Sequence, residues 1–176
     1  MGRIINQHNT EILYPRETGI LEPCDCVNPE ACPLGGECQS KNTVYKTTVT
    51  SNSSGSHENP VPSTTLRDDF YHGIASGPFK PRYRNHLKSF NNRGYEHDTK
   101  LSEYIWKLKD RNIPYTVKWE IISTAEPYRA GSNRCNLCLA EKVVIARCNN
   151  KGLLNKRTEL LNKCRHKNKF MLSSVT

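Results

Sequence analysis

Residues 68–90 read DDFYHGIASGPFKPRYRNHLKSF, and this stretch decides how the rest of the chain is placed. Residues 69–73 are β-prone and predict a short strand. The pair Gly77-Pro78 predicts a turn into a helix. Pro78 and Pro81 suit the first turn of that helix, where a missing N–H costs little. Arg82 and His86 lie four residues apart, so they share one helix face. Both then project near the end of the strand that carries Tyr71. A phenol on a strand beside a guanidinium and an imidazole on a helix is a set suited to phosphate chemistry.

Outward from this stretch, composition sets the class. The chain has 176 residues, a net charge of +9 and a pI of about 9.2. The length fits one ordinary domain with a small appendage. The basic balance points to a polyanion, with nucleic acid the first candidate. No apolar run is long enough to span a bilayer, so no membrane partner is expected. The N-terminal residues lack the apolar core of a secretory signal, and Asn6 breaks the myristoylation pattern that follows Gly2. A reducing compartment is therefore expected. The eight cysteines then read as thiols or metal ligands rather than disulfides.

Residues 1–22 lack a strong apolar period and read as a polar tail or linker. Residues 23–41 form a cysteine-rich segment, with Cys24, Cys26, Cys32 and Cys38 separated by Pro and Gly. Such density predicts a zinc site, because thiolates close a tetrahedral shell around Zn²⁺. The Cys-x-Cys start and wide later gaps are not the usual paired knuckle. Residues 42–50, NTVYKTTVT, are rich in branched and aromatic residues and predict a strand. Residues 51–65, rich in Ser, Asn and Pro, predict a flexible loop.

Residues 91–100 are polar and broken by Gly94. Leu101, Ile105 and Leu108 recur with helical spacing and predict an amphipathic helix over 101–112, stopped by Pro114. Val117, Trp119 and Ile121 alternate with polar residues and predict a half-buried strand over 115–123. Residues 126–134 read as a loop. Residues 135–147 predict a compact, largely buried helix whose one acidic residue, Glu141, needs a partner. Residues 151–176 form a basic tail, in which Leu153, Leu154, Leu160 and Leu161 suggest one more helix. The order is strand, strand, helix, helix, strand, helix, with no internal repeat.

These residues together resemble the GIY-YIG nucleases, and in detail the endonuclease region at the C-terminus of Penelope-like retroelements. The resemblance covers residues 4–172. Thr43-Val44-Tyr45 matches the first family motif and Tyr71-His72-Gly73 the second. Arg82 matches the helix arginine, with His86 one turn on. Glu141 matches the late metal-binding glutamate and Asn155 the closing asparagine. Thr43 and Val44 depart from the first motif, His72 is a bulky occupant of the middle position of the second, and the gap from Tyr45 to Tyr71 exceeds the usual hairpin.

The resemblance implies an α+β domain over residues 42–172, with a small three-stranded antiparallel sheet flanked by helices. It implies a metal-dependent DNA endonuclease that nicks or cleaves target DNA and leaves a 3′-hydroxyl for reverse transcription. Glu141 would hold Mg²⁺ or Mn²⁺, and Arg82 would hold the phosphate. Tyr45 would act as general base or orient the water, and Tyr71 would help place that water. His86 would hydrogen-bond the phosphate or support Arg82. The partners implied are DNA and an upstream reverse transcriptase domain, and the place of action is the nucleus.

Each residue alone has an ordinary reading. A strand tyrosine is commonly a core aromatic, His86 and Arg82 could be surface residues, and Glu141 could pair with Arg134 or Lys142. Cys135 and Cys138 could complete a second zinc shell with Cys164 and His166, or share a site with the N-terminal four. Cys148 reads as a core thiol. Lys100 to Arg111 and the basic tail would track a DNA backbone. Two rival functions are a catalytically inactive, zinc-stabilised nucleic-acid-binding module and a zinc-thiol protein-interaction domain.

Overall fold

The computed structural model describes residues 2–13, 24–53, 65–126, 135–148, 151–161 and 164. Strand β1 spans Thr43–Ser53 and strand β2 spans Thr65–Ala75, and they pair antiparallel with Tyr45 opposite Gly73 and Thr47 opposite Tyr71. Helix α2 covers Phe79–Asn91, helix α3 covers Lys100–Asp110, and strand β3 covers Tyr115–Thr124. The first helix, α1, is Gly2–Leu13, and α4 is Asn136–Arg147. The sheet has the order β2-β1-β3 and is antiparallel throughout. The fold is thus α+β, a three-stranded antiparallel sheet flanked by helices.

The pleat sends alternate residues of β1 to opposite faces. Tyr45 and Val49, with Tyr71 of β2 and Trp119 of β3, form one face. They bury against Phe79 and Phe90 of α2 and Leu101, Ile105 and Leu108 of α3. Burying each large side chain of this kind contributes roughly 1.5–3 kcal/mol. Val44 points to the other face and packs with Leu137 and Cys135, so α4 covers that side at one end. A cross-strand ion pair, Lys46 Nζ to Glu120 Oε1 at 3.0 Å, secures the register of β1 and β3.

Several expectations need correction. Residues 2–13, within the segment read as a polar tail or linker, form an unexpected helix. Nothing in GRIINQHNTEIL breaks a helix after Gly2, and local propensity does not require a buried face; Ile4 stays exposed. Residues 51–53 and 65 belong to strands rather than to the loop, and β2 extends well beyond residues 69–73. Backbone ladders need no apolar residues, and Thr50 Oγ1 donates to Asp68 Oδ1 at 2.6 Å across the pair. The middle of that connection and most of residues 126–134 lie outside the described residues.

Residues 93–98 fold into a short 3-10 helix, Arg93–Asp98. Its Arg93 forks onto both carboxylate oxygens of Asp110 at 2.9 Å. Helix α3 then starts on a capping box between Thr99 and Ser102. Helix α4 is less covered than expected: Leu137 and Ile145 are buried, while Leu139 and Val143 are exposed. The leucines after it do not form a full helix. Leu153 pairs in parallel with Phe70 at the outer edge of β2, and among the described residues Arg157–Leu161 forms a 3-10 helix. Phe70 N donates to Gly152 O at 2.7 Å and Leu154 N donates to Phe70 O at 2.8 Å. Gly152 has φ +79, and a Cβ there would meet Asp68 O at 2.7 Å, so glycine is required at this docking point. No helix among the described residues is long and apolar enough to cross a membrane.

Candidate functional site

Tyr45 enters the site from the centre of the sheet and is fully buried. Its hydroxyl lies 2.7 Å from His86 Nε2 and accepts a hydrogen bond from Arg82 Nε at 3.0 Å. The expected shared face of Arg82 and His86 is what allows both to reach one phenol. The Tyr71 phenol lies close enough to Arg82 for each to act on the charge of the other. The Tyr71 and His86 rings meet edge to face at 6.0 Å. One helix face and two neighbouring strands therefore bring Tyr45, Tyr71, Arg82 and His86 together.

Burial governs the charges here. It pushes the Tyr45 phenol up, against the pull of Arg82, and pushes Tyr71 up as well. Burial and the Arg82 charge bring His86 down to about 3, so the imidazole is neutral at neutral pH. The Arg82 guanidinium keeps its charge: its pKa stays raised by the phenols although burial opposes it.

Glu141, half-buried on α4, lies close enough for its charge to raise both phenols and to feel Arg82. Burial first, then the charge of Glu159, raises Glu141 to about 7, with Arg82 and Lys142 opposing. Glu159 went unnoticed in the sequence, yet it had a signal: it is the only acidic residue after Glu141. Its carboxylate accepts from Asn155 Nδ2 at 2.9 Å and from Lys156 N at 3.1 Å.

Asn155 is buried but does not point its amide at the phenols. It clamps the backbone of His72, accepting from His72 N at 2.7 Å and donating to His72 O at 2.9 Å. It thus continues the edge ladder of β2 with a side chain and holds the strand beside Tyr71. His72 points to the opposite sheet face, where its Nε2 lies 3.0 Å from Cys148 Sγ. Cys148 is half-buried and belongs to neither cysteine group. A cavity of about 260 Å³ on that face is lined by Lys46, Phe70, His72, Cys148, Lys151 and Leu153, away from the Tyr45 cluster.

The cysteines fall into two groups that could hold a metal ion. Cys24, Cys26, Cys32 and Cys38 place their sulfurs within 4.8 Å of one another. Cys26 N donates to Cys24 Sγ at 3.4 Å. Burial would raise Cys32, but backbone N–H groups of Leu34 and Gly36, with the neighbouring thiols, outweigh it and bring Cys32 down to about 7. Gly35 and Gly36 both have positive φ, +58 and +107, and give the turn that aims those N–H groups. Cys38 is wholly buried, and burial followed by its thiol neighbours pushes it up. Four sulfurs gathered this closely could hold a metal ion such as zinc.

Cys135, Cys138 and Cys164 form the second group, with Cys138 Sγ and Cys164 Sγ 3.3 Å apart. Cys135 and Cys138 therefore do not share a site with the N-terminal four. His166 lies outside the described residues. Of the cations expected to track DNA on α3, Lys100 binds Glu103 and Lys109 binds Phe90 O, while Lys107 and Arg111 are exposed. Most of the basic tail lies outside the described residues. Comparison of the chain with protein-family models, with curated proteins and with solved structures returns no match.

Proposed function

We propose that this chain is a metal-dependent DNA endonuclease of the GIY-YIG type, hydrolysing phosphodiester bonds as part of a Penelope-like retroelement. The observation that supports it most is the buried Tyr45 hydroxyl, held between Arg82 Nε and His86 Nε2. An isolated core tyrosine needs only one partner. A phenol between a permanent cation and a neutral imidazole is instead arranged for proton movement beside an anion.

In this reading Arg82 grips the scissile phosphate, its planar fork oriented by the bond to Tyr45. Tyr45 orients the attacking water or, as the phenolate that the Arg82 charge favours, takes its proton, while His86 Nε2, which burial keeps neutral, holds the hydroxyl in place. Tyr71 orients the water. The water oxygen then bonds to phosphorus as the bond from phosphorus to the 3′ oxygen breaks, and that oxygen takes up a proton to leave as the 3′-hydroxyl. Water exclusion strengthens each of these interactions. Asn155 is a positioning residue that acts through the backbone of β2.

A divalent cation such as Mg²⁺ or Mn²⁺ at Glu141 would supply Lewis-acid stabilisation of the phosphate and the leaving oxygen. The raised Glu141 supports this, because burial beside Glu159 leaves a negative excess that a cation offsets. The protein offers few carboxylates here, so waters and phosphate oxygens would fill the remaining positions. Structural Zn²⁺ suits the four thiols of the N-terminal loop, and a second Zn²⁺ suits Cys135, Cys138 and Cys164 with His166. The net charge of +9 supports DNA as partner, and an upstream reverse transcriptase and a nuclear place of action follow from the retroelement reading.

Incubation with supercoiled plasmid and Mg²⁺ tests this. Nicking by the wild-type chain, lost in Glu141→Ala and Arg82→Ala, is the expected result. Tight, salt-dependent binding without strand breakage would instead favour the inactive nucleic-acid-binding module.

A further inference from the structure

Helix α2, which carries Arg82 and His86, has no side-chain cap: Pro78 occupies the N-cap position and offers no hydrogen-bonding group. Its first-turn N–H groups are satisfied from elsewhere. Phe79 N donates to Ser40 O at 3.0 Å and Lys80 N donates to Cys38 O at 2.8 Å. Both acceptors sit at the end of the four-cysteine loop, and Cys38 is itself one of the four. The tie runs both ways, because Lys80 Nζ binds Asp25 Oδ1 at 2.6 Å and Asp25 O at 3.2 Å. Asp25 stands between Cys24 and Cys26 and also accepts from Gln39 Nε2 at 2.5 Å. Leu34, from the same loop, packs against the main core.

Arg82 lies two residues beyond Lys80, still in the first turns of α2. A shift of that helix end would move the guanidinium relative to Tyr45, together with buried Phe79, whose ring meets the Tyr45 ring at 5.1 Å. We propose that a metal held by Cys24, Cys26, Cys32 and Cys38 sets the first turn of α2, and that the cysteine loop is thereby the positioning device for Arg82. The loop is short and rich in Gly and Pro, its internal backbone bonds are local turns such as Cys32 N to Pro29 O and Ser40 N to Glu37 O, and the four sulfurs are the groups that gather these turns at one point. The consequence for catalysis rests on the nuclease reading; the coupling of loop to helix does not.

Amide hydrogen exchange by NMR on the full chain, zinc-loaded and then chelated, tests the coupling. Chelation is expected to speed exchange at Phe79 and Lys80 by about tenfold, the effect of losing a helix cap, with amides in the middle of α3 unchanged. Plasmid nicking measured on the same samples should fall in parallel. Exchange at Phe79 and Lys80 that ignores zinc overturns the proposal. Zinc-dependent exchange with no nicking in either state keeps the proposal and overturns the nuclease reading. Should chelation unfold the whole chain, zinc-loaded Asp25→Ala decides. With its zinc content unchanged, faster exchange at the two amides supports the coupling and wild-type exchange overturns it.

Discussion

The Tyr45 ring occupies the space where a side chain at position 73 would stand. A Cβ on Gly73 would lie 2.6 Å from Tyr45 Cζ, closer than real Cβ atoms approach. The two residues face each other across β1 and β2. The glycine of Tyr71-His72-Gly73 is therefore explained by the tyrosine of Thr43-Val44-Tyr45: the phenol must cross the neighbouring strand to reach His86 and Arg82. Gly73→Ala is expected to destabilise the chain by about 1–3 kcal/mol through overpacking. Denaturant unfolding of Gly73→Ala, Tyr45→Leu and the double variant should show strong non-additivity, and additive effects would contradict the contact.

Tyr45→Phe keeps the ring and removes the hydroxyl. It leaves His86 Nε2 without its buried partner, at a cost of about 1–3 kcal/mol. Nicking should be lost while DNA affinity is kept. An active Tyr45→Phe protein would place the proton acceptor elsewhere.

His86 sets an acid limit on stability. Its folded pKa, about 3, lies below the ordinary 6.5, so the unfolded chain binds a proton there that the native chain does not. The stability tied to the neutral ring is fully present above pH 6.5 and is lost as pH falls toward 3. The total is up to about 5 kcal/mol over that window. His86→Gln should flatten this part of a stability profile measured by urea unfolding. A slope identical to wild type would mean that other groups carry it.

Glu141 behaves in the opposite sense. Its folded pKa, about 7, lies above the ordinary 4.5, so stability present at low pH is lost as pH rises through 7. Glu159→Gln removes a like charge beside it and should lower the Glu141 pKa, as read by carboxyl NMR. It should also weaken Mn²⁺ binding by calorimetry, since a favourable negative charge goes with it. An unmoved Glu141 titration would show that Glu159 does not act on it.

The two thiol groups should differ from Cys148. Cobalt loading is expected to give thiolate charge-transfer absorption that Cys32→Ser weakens and Cys148→Ser leaves intact. Removal of metal by a chelator should lower the melting temperature. An unchanged melt, with no metal by elemental analysis, would refute both sites.

Much of the scaffold could be read from the chain because its causes are local. Branched and aromatic residues in 42–50 and alternation at Val117, Trp119 and Ile121 mark strands, and the spacing of Leu101, Ile105 and Leu108 marks a helix. Arg82 and His86 share a face because they are four apart. Cys24, Cys26, Cys32 and Cys38 lie within fifteen residues, so their convergence needs little more than tight turns at Gly35 and Gly36. These outcomes follow from backbone geometry over one or two turns.

Tertiary structure alone decided the rest. The segment around Leu153 joins the edge of β2 through backbone groups, which carry no residue-specific signal, and the Asn155 side chain meets the backbone of His72, 83 positions away. The strength of burial around His86, and the approach of Glu159 to Glu141, depend on how α2 and the Arg157–Leu161 turn dock. Chemical type and local spacing are written into the order of residues. Dielectric surroundings and long-range register arise only when distant segments exclude water together.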